Sequence, residues 1–197
     1  MDLRQQEKRQ ERQERQERQE RQERQREEKP ERGTDGVVSG AAFTEAMSRL
    51  VSGVAVVSAR RSDGRPSGLL VSSVCSYSAD PPSVLVALAR TSRTCREITA
   101  GPGPDVHFGV HLLARSHAAL ARTFAGSSGD KFADVLWDWD GTVPRLAGVP
   151  VYAKCRAGAV LPHGDHVIVV GEVVGCAVAE DDPLVYFRRR LDWSLGG

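Results

Sequence analysis

The chain of 197 residues lacks most of the features that place a protein at a glance. No apolar run approaches the roughly 18 residues of a membrane-spanning helix, so no membrane association of that kind is expected. The formal net charge is only +1, so there is no broad basic field for nucleic acid and no acidic excess for cationic partners. The four cysteines, Cys75, Cys95, Cys155 and Cys176, form no C-x-x-C pair, and the charged N-terminus carries no secretory pattern. Reduced thiols in a cytoplasmic protein are expected.

Catalytic signatures are missing too. There is no P-loop, no G-x-S-x-G elbow and no G-x-G-x-x-G between a strand and a helix. The "GPGP" of Gly101–Pro104 has prolines where a dinucleotide fingerprint has none, and it leads into a strand, so a Rossmann site is not expected. His107 and His111 suit metal ligation only on a helix. On a strand, at ~3.3 Å per residue, they lie about 13 Å apart and read as packing residues. His163 and His166 flank a turn, but two ligands do not make a metal site, and no metal is expected.

What is present begins with a low-complexity tail over residues 1–33. "ERQERQERQERQERQ" repeats from Glu11 to Gln25, and the tail holds 11 basic and 10 acidic residues. Glu11 and Arg15 make a favourable i,i+4 pair on a helix. The repeat has no apolar stripe, however, so it reads as a solvated, frayed helix or a disordered tail. Pro30 and Gly33–Gly36 mark the boundary, and a single domain is expected over residues 40–197.

Within that domain Phe43, Met47 and Leu50 have helical spacing, with Gly53 ending the helix. "VAVVSAR" reads as a strand and "RSDGRPSG" as a turn with Asp63-Gly64 at its tip. Strands follow at Leu69–Tyr77, Val84–Ala89 and "DVHFGVHLL". Short helices are expected at Cys95–Thr99 and in "ARSHAALARTFAG", the latter capped by Ser116. "DKFADVLWDW" reads as irregular or briefly helical. "VYAKCRAGAVLP" and "DHVIVVGEVVGCAVA" are two late strands joined by "HGDH". At least six strands with short connections and few helices predict a mainly β fold, an antiparallel barrel with peripheral helices.

One stretch asks for a ligand. "GLLVSSVCSYSADPPS" sets Ser72, Ser73, Ser76 and Ser78 in an otherwise apolar strand. Those hydroxyls either satisfy backbone groups near the Asp80-Pro81-Pro82 turn or face a polar partner. In "ARTSRTCREI", Ser92 and Thr94 alternate in an extended run beside Arg90 and Arg93. Thr94-x-x-Glu97 is also a capping-box pattern, and either reading puts a helix N-terminus here, a place that suits phosphate. Lys131 in "GDKF" is either a further cation there or an exposed lysine. "HGDH" is at minimum a hairpin turn over Gly164-Asp165.

Six stretches, in order, resemble the flavin reductase family with the FMN-binding split-barrel fold. They are "FTEAMSRLVSGVAVVSA", "GRPSGLLVSSVCSYSADPPSVLVALARTSRT", "LARTFAGSSGDKF", "PRLAGVPVYAKC", "GDHVIVVGEV" and "PLVYF", and they span nearly all of residues 43–187. The resemblance implies a Greek-key split barrel, a homodimer with flavin near its interface, and transfer of hydride from NADH or NADPH to FMN or FAD. It implies that reduced flavin feeds a separate flavin-dependent monooxygenase or halogenase. It assigns flavin contacts to Leu70, Val71, Ser72, Ser73, Ala87, Leu88, Arg90, Ser92, Thr94 and Lys131, with the phosphate at Ser92 and Thr94. Gly164, Asp165 and His166 fall at the nicotinamide, with His166 orienting it. Leu70 stands where members usually carry threonine, His111 stands where they carry asparagine, and the segment from Trp137 to Pro144 is slightly short. Two alternatives are a non-catalytic flavin carrier and another split-barrel flavin oxidase.

Overall fold

The structure, a computed structural model, describes residues 36–100, 106–126 and 129–193. The charged repeat and the "GPGP" segment lie outside the described residues. The chain divides into two units, Met1–Arg49 and Leu50–Gly197.

The first unit contributes helix α1 (Gly40–Ser48), whose N-cap Ser39 accepts the Ala42 N–H at 3.1 Å. The helix stops at Arg49 and does not reach Leu50, contrary to the spacing. Ser52 and Gly53 are instead drawn into a short strand, β1, against Tyr186 and Val185.

The second unit is built on a seven-stranded antiparallel sheet in the order β3-β2-β6-β9-β10-β5-β4. Its strands are β2 (Ala55–Arg60), β3 (Pro66–Val71), β4 (Val74–Ala79), β5 (Pro82–Ala89), β6 (His107–Leu112), β9 (Val151–His163) and β10 (His166–Val178). The two edge strands, β3 and β4, are joined by Ser72 and Ser73 alone. Flat, those edges would lie about 29 Å apart at ~4.8 Å per strand, while the three Cα–Cα steps from Val71 to Val74 reach only about 10 Å. The sheet therefore rolls up, and the split barrel expected from the resemblance is what forms.

This closure corrects one expectation. Leu69–Tyr77 is not one strand but two, broken where the chain crosses from one edge of the sheet to the other. Ser73 makes the crossing: its Oγ donates to the Ala87 carbonyl at 2.6 Å, and its own carbonyl accepts the Ala87 N–H at 3.2 Å. Ser78 likewise bonds the backbone of Asp80. These hydroxyls serve the backbone, as the simpler reading of the stretch had it.

Alternation sorts the side chains into two cores. Ala55, Val57 and Ala59 of β2 face the barrel interior with Val86, Leu88, Phe108, Val110, Cys155, Val167 and Val169. Helix α2 (Arg93–Thr99) plugs this interior with Cys95 and Ile98. Val56 and Leu70, one residue out of phase, face outward into a second layer. That layer is covered by α3 (Ala118–Ala125), by the hairpin β7 (Trp137–Asp140) and β8 (Val143–Leu146), and by β11 (Val185–Phe187) and β12 (Arg190–Trp193). Gly171 lets the barrel close tightly, since a Cβ there would fall inside the Phe108 ring.

Two further expectations are corrected. Ser116 does not cap a helix. It lies in a 3-10 turn over Arg115–His117 that precedes α3, and there the His117 Nδ1 accepts the Ala114 N–H. "DKFADVLWDW" takes the irregular alternative over its first half and is nowhere helical, but its end is a strand. It turns at Asp130–Val135 and then forms β7, because Trp137 and Trp139 pair with Leu146 and Pro144 of β8.

His111 is fully buried between the two cores. Its Nδ1 lies 3.0 Å from the Val56 carbonyl, and its Nε2 accepts the Leu146 N–H at 3.1 Å. That pair of bonds fixes the neutral tautomer with hydrogen on Nδ1. Burial pushes the pKa down to about 4, with the nearby Arg145 charge acting in the same direction.

Candidate active site

The site is built where β5 runs into α2. Ala89, the last residue of β5, pairs with His166 at the start of β10. Ser92 then caps α2 with extended backbone, its Oγ accepting the Cys95 N–H at 3.1 Å. Thr94 is therefore not the cap that the Thr94-x-x-Glu97 pattern suggested, and the run is not extended at Thr94. Thr94 sits buried in the first helical turn, because Cys95 and Ile98 must reach the barrel interior. Glu97 instead accepts the Ser62 N–H from the β2–β3 turn, at 3.1 Å. The N–H groups of Arg93 and Thr94 have no protein acceptor among the described residues, as expected at a helix start.

This junction forms one wall of a cavity of about 660 Å³. Pro66–Leu69 of β3 form its floor. The loop after α3, through Gly129, Asp130, Lys131 and Phe132, forms a second wall. Gly68 must be small here, since a Cβ would run into the Phe124 ring of α3. Lys131 ties the walls together: its Nζ donates to the Phe124 carbonyl at 2.9 Å and the Gly68 carbonyl at 3.3 Å. It has no carboxylate partner among the described residues, and partial burial pushes its pKa below the usual lysine range. An ammonium held this way keeps one N–H for an anion in the cavity.

The remaining wall is the β2–β3 turn. Gly64, at φ +83°, shapes its tip. Asp63 pairs with Arg61 and with Arg65, the latter at 2.9 Å. The lining thus holds Arg61, Arg65, Arg93, Arg96 and Lys131 against one carboxylate, Asp130. That donor set, with hydroxyls at Ser92 and Thr94, fits an anionic phosphate.

The "HGDH" turn is attached directly to this wall. Gly164, at φ +55°, takes the first central position, with Asp165 second, as in a type II′ hairpin. The Arg90 N–H donates to the Asp165 carbonyl at 2.9 Å, and its Nη1 lies 3.4 Å from the Gly164 carbonyl. His166 Nδ1 is 2.8 Å from Asp165 Oδ1. That bond holds the Asp165 carboxyl below its ordinary range. An ionised carboxylate only accepts, so Nδ1 carries the hydrogen and the half-exposed ring offers Nε2 outward.

The fold therefore brings Arg90, Ser92, Thr94, Gly164, Asp165 and His166 together around the end of β5, with Lys131 across the cavity. It does not bring Leu70, Val71, Ser72, Ser73, Ala87 and Leu88 into the cavity lining. Val71 and Leu88 point into the barrel core, Leu70 packs on the outer layer, and both backbone groups of Ala87 bond Ser73. Only Ser72 and Ser73 are exposed. The side chains of Leu70, Val71 and Leu88 are therefore turned away from the cavity and are packed within the fold. Sequence reasoning missed Arg61, Arg65, Arg96 and Gly68. The signal was the pair of arginines flanking the Asp63-Gly64 tip, a turn read only as a connector.

Comparison with known proteins places the chain in a family. Residues 47–194 match the family described as flavin reductase like domain. A flavin reductase (NADH) from Kitasatospora aureofaciens is 38% identical over 159 residues, covering 78% of this chain and 81% of the relative. The reductase component of a 4-nitrophenol 4-monooxygenase/4-nitrocatechol 2-monooxygenase from Rhodococcus opacus is 38% identical over 151 residues, covering 77% and 79%. The solved structure of an NADH:FAD oxidoreductase from Streptomyces globisporus, in complex with NAD and FAD fragments, superposes with a TM-score of 0.69. It is 27% identical, and the match covers 76% of this chain and 89% of that one. The family match and the relatives show that the chain belongs to the flavin reductase like domain family.

Proposed function

We propose that the protein is an NAD(P)H:flavin oxidoreductase that passes hydride from NADH or NADPH to FMN or FAD. Released reduced flavin then serves a separate flavin-dependent monooxygenase or halogenase, as the relation to a monooxygenase reductase component suggests. The observation that carries this reading is the cationic cavity at Ser92–Thr94, joined through Arg90 to the Gly164–His166 turn. Flavin, when bound, supplies the electrophilic ring that accepts the hydride. Ser92, Thr94 and Lys131 hold its phosphate, and the backbone of Leu70–Ser73 lies along its ring.

Hydride transfer needs close stacking and orientation more than a strong acid or base. His166 supplies orientation, because its Nε2 can accept from the carboxamide of nicotinamide while Asp165 holds the ring. His166→Ala is therefore expected to slow flavin reduction about tenfold and to change flavin affinity less than twofold. Stopped-flow reduction and a flavin titration separate the two effects. A sharp loss of flavin affinity with unchanged turnover of bound flavin would refute this role. The wider reading is tested by NADH and NADPH oxidation with and without added flavin. Turnover that follows free flavin supports a reductase, and tight flavin without turnover supports a carrier.

The assembly is inferred to be a homodimer. Beyond Ala157, β9 pairs only with β10 among the described residues, and beyond Glu172, β10 pairs only with β9, which leaves one open edge on each beside exposed Val160, Leu161 and Val174. Tyr77 of β4 adds to this apolar surface at 62% exposure. Open edges and apolar faces of this extent call for a partner. Light scattering is expected to give twice the chain mass, and a fully active monomer would contradict the inference. All four cysteines are free thiols, which suits a cytoplasmic location. No helix among the described residues is long and apolar enough to cross a membrane. Residues 1–33 are assigned no part in flavin reduction.

A further inference from the structure

We propose that this site takes a flavin dinucleotide in preference to the mononucleotide, with the Arg61–Asp63–Arg65 wall holding the distal, adenylate half. The proposal rests on the reading above, in which Ser92 and Thr94 hold the phosphate next to the flavin and the ring lies outside the cavity along Leu70–Ser73.

The first observation is space. If the ring lies along Leu70–Ser73, the mononucleotide puts only its phosphate end into the cavity. A phosphate group fills on the order of 100 Å³, taking ~30 Å³ per water-sized group. Most of the 660 Å³ then remains for a second body of nucleoside size.

The second observation is the chemistry of that remaining space. The β2–β3 turn faces the α2 wall with two guanidinium groups gathered on one carboxylate, leaving an excess of one positive charge. The turn is rigid: the Arg61 N–H donates to the Arg65 carbonyl at 2.8 Å, and the Gly64 N–H donates to the Arg61 carbonyl at 2.9 Å. Asp63 accepts from the Nε and Nη2 of Arg65 at 3.1 and 2.9 Å, fixing the plane of that guanidinium. A held guanidinium both forks onto phosphate oxygens and stacks on a purine face. A phosphate already met by Ser92, Thr94 and Lys131 has no need of a second cationic wall. A diphosphate carrying adenosine does.

Arg65 is the residue to change. Its side chain is 65% exposed, against 16% for Arg61, so its loss empties no core. The test is a titration of the flavin-free protein with riboflavin, FMN and FAD, for wild type, Arg65→Ala and Arg65→Lys. FAD is expected to bind at least tenfold tighter than FMN. Arg65→Ala is expected to remove most of that advantage while moving FMN no more than about twofold, with Arg65→Lys in between. Equal affinity for FMN and FAD in wild type, or equal losses for both in Arg65→Ala, overturns the proposal and leaves the flavin site standing. A raised KM for NADH or NADPH in Arg65→Ala with FAD affinity unmoved also overturns it, by giving the wall to the nicotinamide dinucleotide. Failure of all three flavins to bind, riboflavin included, sinks the underlying reading itself.

Discussion

His111→Ala is expected to destabilise the protein by about 3–5 kcal/mol. The side chain is fully buried and bonds two backbone groups, the Val56 carbonyl on β2 and the Leu146 N–H on β8. Alanine leaves both unpaired away from water, at roughly 1–3 kcal/mol each, and opens a void besides. Asparagine offers one donor and one acceptor on a flat group, so His111→Asn is expected to keep most of the stability. The residue also makes stability depend on pH. Its folded pKa, about 4, lies below the usual 6.5, because burial disfavours the charged ring. The contribution is therefore complete above pH 6.5 and is lost as pH falls from there toward 4. Linkage puts the loss on the order of 2 kcal/mol between pH 7.5 and pH 5. Urea unfolding at those two pH values, for wild type and His111→Asn, checks it. An equal loss in both proteins would mean that His111 is not the group responsible.

The parts of this fold that were legible in sequence are those decided locally. β10 shows a long β-branched run after a Gly-Asp tip, and the turn at Asp63-Gly64 needs a positive φ that glycine supplies. The site was legible where it coincides with such local features: the helix start near Ser92 and the turn before His166. What could not be read was decided at long range. Nothing in "LLVSSVCSY" marks a break, since serine and valine both tolerate strands. Closure of the barrel, which makes β3 and β4 opposite edges, puts the break at Ser72-Ser73. Ser92 and Thr94 both suit an N-cap by residue type, and the burial of Cys95 and Ile98 goes with the choice of Ser92. The arginines of the β2–β3 turn line a cavity only because the loop after α3, more than sixty residues on, lines it with them. His107 and His111 were read alike as packing histidines, yet His111 bridges two sheets through a hairpin, β7–β8, part of which was read as irregular.

The other large effect concerns the phosphate. Ser92 has two roles in this account: its Oγ caps α2, and its hydroxyl donates to the anion beside Thr94. Aspartate separates them. It is as good an N-cap as serine, so Ser92→Asp keeps the helix and the thermal stability. It also places a carboxylate where the phosphate belongs. Like charges a few ångströms apart at an effective dielectric near 20 repel by several kcal/mol, so FMN affinity is expected to fall at least a hundredfold. Thr94→Ala, which removes one hydrogen bond to a charged group at ~1.5–3 kcal/mol, is expected to cost about ten- to a hundredfold. Ser72→Ala, in the β3–β4 link proposed to meet the ring through its backbone, is expected to cost little. Riboflavin carries the same ring without the phosphate. The decisive measurement is therefore the affinity of Ser92→Asp for FMN and for riboflavin, beside wild type. Loss of FMN binding by two orders of magnitude, with riboflavin held within about twofold, is the result this account predicts. Equal losses for the two ligands, or none for either, would contradict it and put the flavin phosphate somewhere other than the β5–α2 junction.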